Sequence, residues 1–160
     1  MLQFSQGNIF EAIDRSRVEL AVVFGHVGFN QMRVCWATFS ARHPQLVGVR
    51  DPFTSLENGP IRISDGRWLW FVSEKENHGM TDGHLVNALD ASLSWASRLH
   101  IKSVATNGVA NTDHGIDTAH NRQSDEQRAR FLIAYAAAAE QQYGVNIELI
   151  SLNDVFLRVR

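Results

Sequence analysis

Residues 18–24 read Val-Glu-Leu-Ala-Val-Val-Phe, a nearly unbroken apolar run that is too short for a typical helix and rich in β-branched side chains. Such a run suits a strand covered on both faces. Ahead of it, Leu2 to Ser5 predicts a short strand. Gly7-Asn8 then opens a turn into a brief helix over Ile9 to Ile13, with Asn8 as its N-cap. After Gly28, Asn30 can cap a segment in which Met32, Cys35, Trp36 and Phe39 recur at helical spacing, and which stops before His43-Pro44. Pro52, Asn58, Gly59 and Pro60 punctuate a stretch of little periodicity, read as a surface loop inside one domain. Ile61 to Ser64 and Arg67 to Val72 predict two strands joined at Asp65-Gly66, a pair that supplies the positive backbone angles of a tight hairpin.

Further along, Thr81 can cap a long helix through Leu99 whose stripe is Leu85, Leu89, Leu93 and Ala96, followed by a buried strand at Ile101 to Thr106. Ser124 with Gln127 fits a capping box for a helix that runs through four alanines to Gly144. Val145 to Ser151 then reads as a last strand. Strands alternate with helices and one hairpin is inserted. This order predicts an α/β fold, a three-layer α/β/α sandwich with a mixed central sheet, as one domain over residues 1–160. In such sheets ligands bind outside the carboxyl ends of the strands. That directs attention to Gly25–Asn30, Thr106–Gly115 and Ser151–Phe156.

Composition narrows the function classes. Fifteen Lys and Arg stand against 17 Asp and Glu, a formal charge of −2, so the broad basic footprint of a bulk nucleic-acid binder is missing. Thirteen of those cations are Arg, which make planar two-point contacts to carboxylates and phosphates. Cys35 is the only cysteine, which excludes an intrachain disulfide and a Cys-based zinc site and favours a reducing compartment, the cytoplasm. The first ten residues lack a signal-peptide pattern, and no apolar run approaches the roughly 18 residues of a membrane span.

Thr106-Asn107-Gly108-Val109-Ala110-Asn111 follows a predicted strand directly, and a glycine there lets backbone N–H groups approach an anion closely. The same composition also makes an ordinary strand-to-loop turn. Gly25-His26-Val27-Gly28 can supply the facing half of a phosphate cleft at a helix N-terminus. It has neither the third glycine of a dinucleotide fingerprint nor the lysine of a P-loop. His26 is a candidate to contact a ligand or to act as an acid or base, the usual roles of an imidazole, although a lone loop histidine more often does neither. Asp113, His114, Asp117 and His120 cluster without a zinc signature, so a solvated polar loop is the simpler reading and no metal is assigned. No Gly-x-Ser-x-Gly elbow occurs, and Cys35 lies on an apolar stripe where thiols are usually inert packing. Trp68 and Trp70 share one face of a hairpin strand and are expected in the core or at a subunit contact. Arg122, Arg128 and Arg130 are interleaved with Asp125 and Glu126, as on a mixed solvated surface.

Over nearly the whole chain, the order of elements and two loops resemble a macro domain, the ADP-ribose-binding α/β module. Gln6-Gly7-Asn8-Ile9-Phe10 is similar to the family's early Gly-Asp-Ile segment. Ser103-Val104-Ala105-Thr106-Asn107-Gly108-Val109 is similar to its strand followed by a Thr-Gly-Val-type phosphate loop. Ile147 to Phe156 is similar to its last strand with an acidic or amide residue and an aromatic. The resemblance implies that Asn107, Gly108, Val109 and Ala110 lie along a diphosphate and distal ribose, and that Asn153 and Phe156 lie toward an adenine. Asn8 and Ile9 fall in the adenine-reading segment, with Asn8 where the family usually has an Asp that accepts from the adenine amino group. An amide oxygen can accept the same bond without its charge. After Val23, where the family commonly shows an Asn-Ala-Ala-Asn run, this chain has Phe24-Gly25-His26-Val27-Gly28-Phe29-Asn30, so no catalytic residue carries over.

Three functions remain open. The first is binding of ADP-ribose or a related nucleotide or phosphorylated ligand by backbone donors in the cleft between the Gly25–Asn30 and Thr106–Asn111 loops. The second is hydrolysis of an ADP-ribose linkage or a phosphate ester, with His26, Asp113 or His114 as acid or base. The third is a structural protein that keeps the fold and acts through an oligomeric surface including Trp68 or Trp70. No cofactor is assigned, and the sequence leaves the physiological ligand and the oligomeric state open.

Overall fold

A computed structural model of the chain describes residues 1–16, 18–26, 30–46, 59–64, 66–74, 82–107 and 118–160, with the backbone alone at 16, 25, 26, 30–35, 64, 73, 74 and 118–124. Gly28, Asp65, Thr81 and Gly108–Gly115 fall outside the described residues, and with them the expected Asp65-Gly66 and Thr81 turn chemistry. Six strands form one sheet: β1 (Gln3–Gln6), β2 (Leu20–His26), β3 (Gly59–Ser64), β4 (Arg67–Glu74), β5 (Ser103–Thr106) and β6 (Asn146–Ser151). Their order across the sheet is β1-β6-β5-β2-β4-β3. The first five in that order run parallel and β3 is antiparallel to β4, as the hairpin required. Gly66, in the hairpin turn, has a φ of 73°, which explains the glycine there.

The helices are α1 (Ile9–Ser16), α2 (Asn30–Ala41), α3 (Asp82–Arg98), α4 (Thr118–Tyr143) and α5 (Val155–Val159), with a single 3-10 turn at Pro44–Leu46. Alternation along β2 sorts them into two layers. Leu20, Val22 and Phe24 point into a core with Leu85, Leu89 and Leu93 of α3, Leu132 of α4 and Phe156 of α5. Ala21 and Val23 point the opposite way, against Phe10 and Ile13 of α1 and Trp36 and Phe39 of α2. The predicted three-layer sandwich is therefore the observed one, with α1 and α2 on one face and α3, α4 and α5 on the other. Trp68 and Trp70 pack, partly buried, against Trp95 of α3 with ring centroids 5.1 and 5.6 Å apart.

Several boundaries differ from expectation. The strand predicted at 18–24 starts and ends two residues later, so Gly25 and His26 are strand residues rather than loop, in register with Ser73 and Glu74 of β4. Asn30 is the first helical residue of α2 rather than its cap. The helix expected to start at the Ser124 capping box begins at Thr118, because no glycine or proline interrupts 118–124. Residues 151–156, expected as loop, end in the first turn of α5.

Helix ends follow backbone rules. The C-terminus of α3 closes with His100 in the left-handed region (φ 58°), its N–H donating to Ser97 O and that of Ile101 to Ala96 O. This is the Schellman pattern with histidine at the usual glycine position. At the end of α4, Gly144 (φ 65°) donates to Glu140 O. Between these helices Asp90 Oδ1 accepts from two phenols, Tyr135 at 2.5 Å and Tyr143 at 3.0 Å. Burial, reinforced by the bond to Asp90, pushes both phenols above their ordinary pKa.

Candidate functional site

Because β1, β6, β5, β2 and β4 are parallel, their carboxyl ends share one rim. Two neighbouring pairs on that rim send their chains to opposite faces. From β2 the chain passes to α2 on one face, and from β5 it passes to α4 on the other. The same divergence occurs between β1, followed by α1, and β6, followed by α5. Adjacent strands whose connections part in this way leave a crevice above their ends. The two divergences are two strand spacings apart, about 10 Å, and the ends of β5 and β6 run between them.

The β2/β5 divergence is built by Asn107. Main-chain pairing of β2 with β5 stops at Val22 with Thr106. The Asn107 side chain then takes over, accepting from Phe24 N–H at 2.8 Å and donating to Phe24 O at 3.0 Å. One amide thus completes the ladder where the strands separate. Thr106, expected to meet a ligand, is enclosed, and its hydroxyl donates to Val22 O at 2.9 Å. Gly25 and His26 reach the same rim at the end of β2. Gly28, Gly108, Val109 and Ala110 lie outside the described residues, as do Asp113 and His114.

At the β1/β6 divergence the sheet continues one step past its strands, with Gly7 N–H donating to Ser151 O at 2.8 Å and Gln6 Nε2 to Leu152 O at 3.2 Å. Asn8 caps α1 as its sequence position predicted. Its Oδ1 accepts from Phe10 N–H at 2.9 Å, and its carbonyl accepts from Glu11 and Ala12. Asn153, one residue ahead of the cap position of α5 at Asp154, holds the turn into that helix, its Oδ1 accepting from Val155 N–H at 3.1 Å and from Ser151 Oγ at 2.8 Å. The side chains of Ile9 and Phe156 face the two cores instead of the rim. Of the expected set, the structure therefore brings Asn8 with Asn153, and Gly25 and His26 with Asn107. The three asparagines all direct oxygen to protein backbone, a use that only the capping signal at Asn8 announces in the sequence.

Arg128, expected on a mixed surface, links α4 to the start of α3 through Asp82 at 2.9 Å. Among the described residues no three His, Cys, Asp or Glu side chains are grouped to hold a metal ion, and no helix is long and apolar enough to cross a membrane.

No protein-family model and no curated protein matches the sequence. Among solved structures, the chain is similar to the macrodomain of Mycobacterium tuberculosis DarG. The TM-score is 0.58 and the identity 15%, over 94% of this chain and 97% of that one. It is also similar to the macrodomain of Thermus aquaticus DarG, with a TM-score of 0.51 and 16% identity over the same shares. The likeness spans the whole sandwich while leaving few side chains in common.

Proposed function

We propose that this chain, a divergent protein of macrodomain fold, binds ADP-ribose or a related nucleotide along the rim between its two divergences. The observation that carries the reading is the pair of chain divergences about 10 Å apart at the ends of parallel strands, a separation suited to the phosphate and base ends of one elongated guest. Asn107 fixes where β2 and β5 separate, and Gly108, Val109 and Ala110 follow it in the chain. Phosphate oxygens beside β5 would be held by main-chain N–H groups, which need no basic side chains and suit a chain of net charge −2. Calorimetry with ADP-ribose tests this directly. Wild-type protein is expected to bind, and Gly108→Glu, which brings a carboxylate to the phosphate end, is expected to lose at least tenfold in affinity, about 1.4 kcal/mol. Undiminished binding by the variant would remove the phosphate site from this place.

A further inference from the structure

We infer that Asn107-Gly108 is a site of spontaneous covalent modification held in check by β2, where parting of the strand ends lets the asparagine convert irreversibly to aspartate or isoaspartate. Two Asn-Gly pairs occur in the sequence, at 58–59 and 107–108. A glycine after asparagine leaves the next main-chain nitrogen without a flanking side chain, so attack by that nitrogen on the asparagine amide is least hindered. The Asn107 amide is bound at both of its ends to one residue, with Oδ1 accepting from Phe24 N–H at 2.8 Å and Nδ2 donating to Phe24 O at 3.0 Å.

The reaction needs no enzyme and no oxidant. Gly108 N attacks Asn107 Cγ, the Cγ–Nδ2 bond breaks, and Nδ2 leaves as ammonia with the proton given up by Gly108 N. Water then opens the cyclic imide, at Cγ to give aspartate or at the main-chain carbonyl carbon to give isoaspartate. The bonds to Phe24 oppose both halves of the first step. Nδ2 cannot depart while it donates to Phe24 O, and Cγ cannot become tetrahedral while a flat amide spans the two groups of Phe24. Conversion therefore proceeds from the fraction of molecules in which the end of β2 has parted from β5. Thr106 Oγ1, donating to Val22 O at 2.9 Å, holds the same seam one residue earlier. Neither product restores it. Aspartate has no donor for Phe24 O and sets an anion against it, and isoaspartate lengthens the main chain by one methylene where the strands separate. The conversion is thus a one-way switch that keeps the rim loosened, whether or not a nucleotide occupies it.

The test incubates the protein in mildly alkaline buffer, folded or in denaturing guanidinium chloride, and reads conversion at each asparagine by peptide mapping. Asn58, also followed by glycine, reports the same chemistry in the denatured chain. Asn107 is expected to convert at least about tenfold more slowly in the folded protein than in the denatured chain, the scale of two hydrogen bonds that must open first. Folded Thr106→Val, which loses the adjoining bond and keeps the side-chain shape, is expected to convert at Asn107 about threefold faster than folded wild type. As wild type converts, its urea midpoint is expected to fall by about 1 M. Equal folded and denatured rates at Asn107, or a Thr106→Val rate no higher than wild type, would overturn control by the bonds to Phe24. Denatured conversion at Asn58 without conversion at Asn107 would overturn the site itself, and complete conversion with an unchanged midpoint would overturn the switch.

Discussion

Asn107→Ala removes one side chain and leaves two main-chain groups of Phe24, an N–H and a carbonyl, without the partners that hold them at 2.8 and 3.0 Å. A buried group stripped of its hydrogen bond costs about 1–3 kcal/mol. Both contacts here are only partly buried, so water recovers a share, and the pair together is expected to cost about 2–3 kcal/mol. Urea denaturation followed by tryptophan fluorescence reads this directly. With a slope of roughly 2 kcal/mol per molar, the midpoint should fall by about 1 M. Asn107→Asp sharpens the comparison, since it retains the acceptor for Phe24 N–H but sets an anionic oxygen against Phe24 O. It should therefore be no more stable than the alanine variant, despite being closer in shape. A midpoint for Asn107→Ala within about 0.2 M of wild type would refute the view that this amide completes the sheet.

Two helix ends give opposite outcomes by the same measurement. Gly144→Ala should lose about 1 kcal/mol, all of it conformational because the added Cβ meets open space, and His100→Gly should gain about 0.5–1 kcal/mol. Tyr135→Phe removes one of the two donors to Asp90 and should cost about 1–2 kcal/mol near neutral pH. Because the folded phenol sits above its unfolded pKa of about 10, its stabilisation is complete below that pH and lost as pH rises past it. The difference in melting temperature between wild type and Tyr135→Phe should consequently be steady up to about pH 10 and change only above it. A difference that already varied between pH 6 and 8 would place its origin elsewhere.

The sandwich was legible where burial imposes a period. The Leu85, Leu89, Leu93 and Ala96 stripe and the two-sided run ending at Phe24 needed no more than their spacing. The hairpin was equally plain from Asp65-Gly66. Boundaries failed where a neighbour decided them. Gly25 and His26 have the composition of a turn, and they remain in β2 because β4 continues to Glu74 beside them. Ser124 and Gln127 have the spacing of a capping box, but a serine caps only if its backbone leaves the helix, and the backbone around Ser124 is helical on both sides. At the rim, the sequence points to segments that meet at the strand ends, and the structure adds what several of their side chains bond to. The family resemblance alone sets Asn107 and Asn153 beside a ligand, and the structure adds that their side-chain oxygens accept from the N–H groups of Phe24 and Val155. Thr106 similarly turned inward to Val22.

Both apolar layers share β2, whose residues from Leu20 to Val23 have no exposed surface. Neither layer can open without loosening this seam, so the two halves of the molecule should come apart together rather than in sequence. Amide protons at the centre of β2 should accordingly be the last to exchange with deuterated solvent, at rates set by global unfolding, while those of the terminal turn in α5 trade freely.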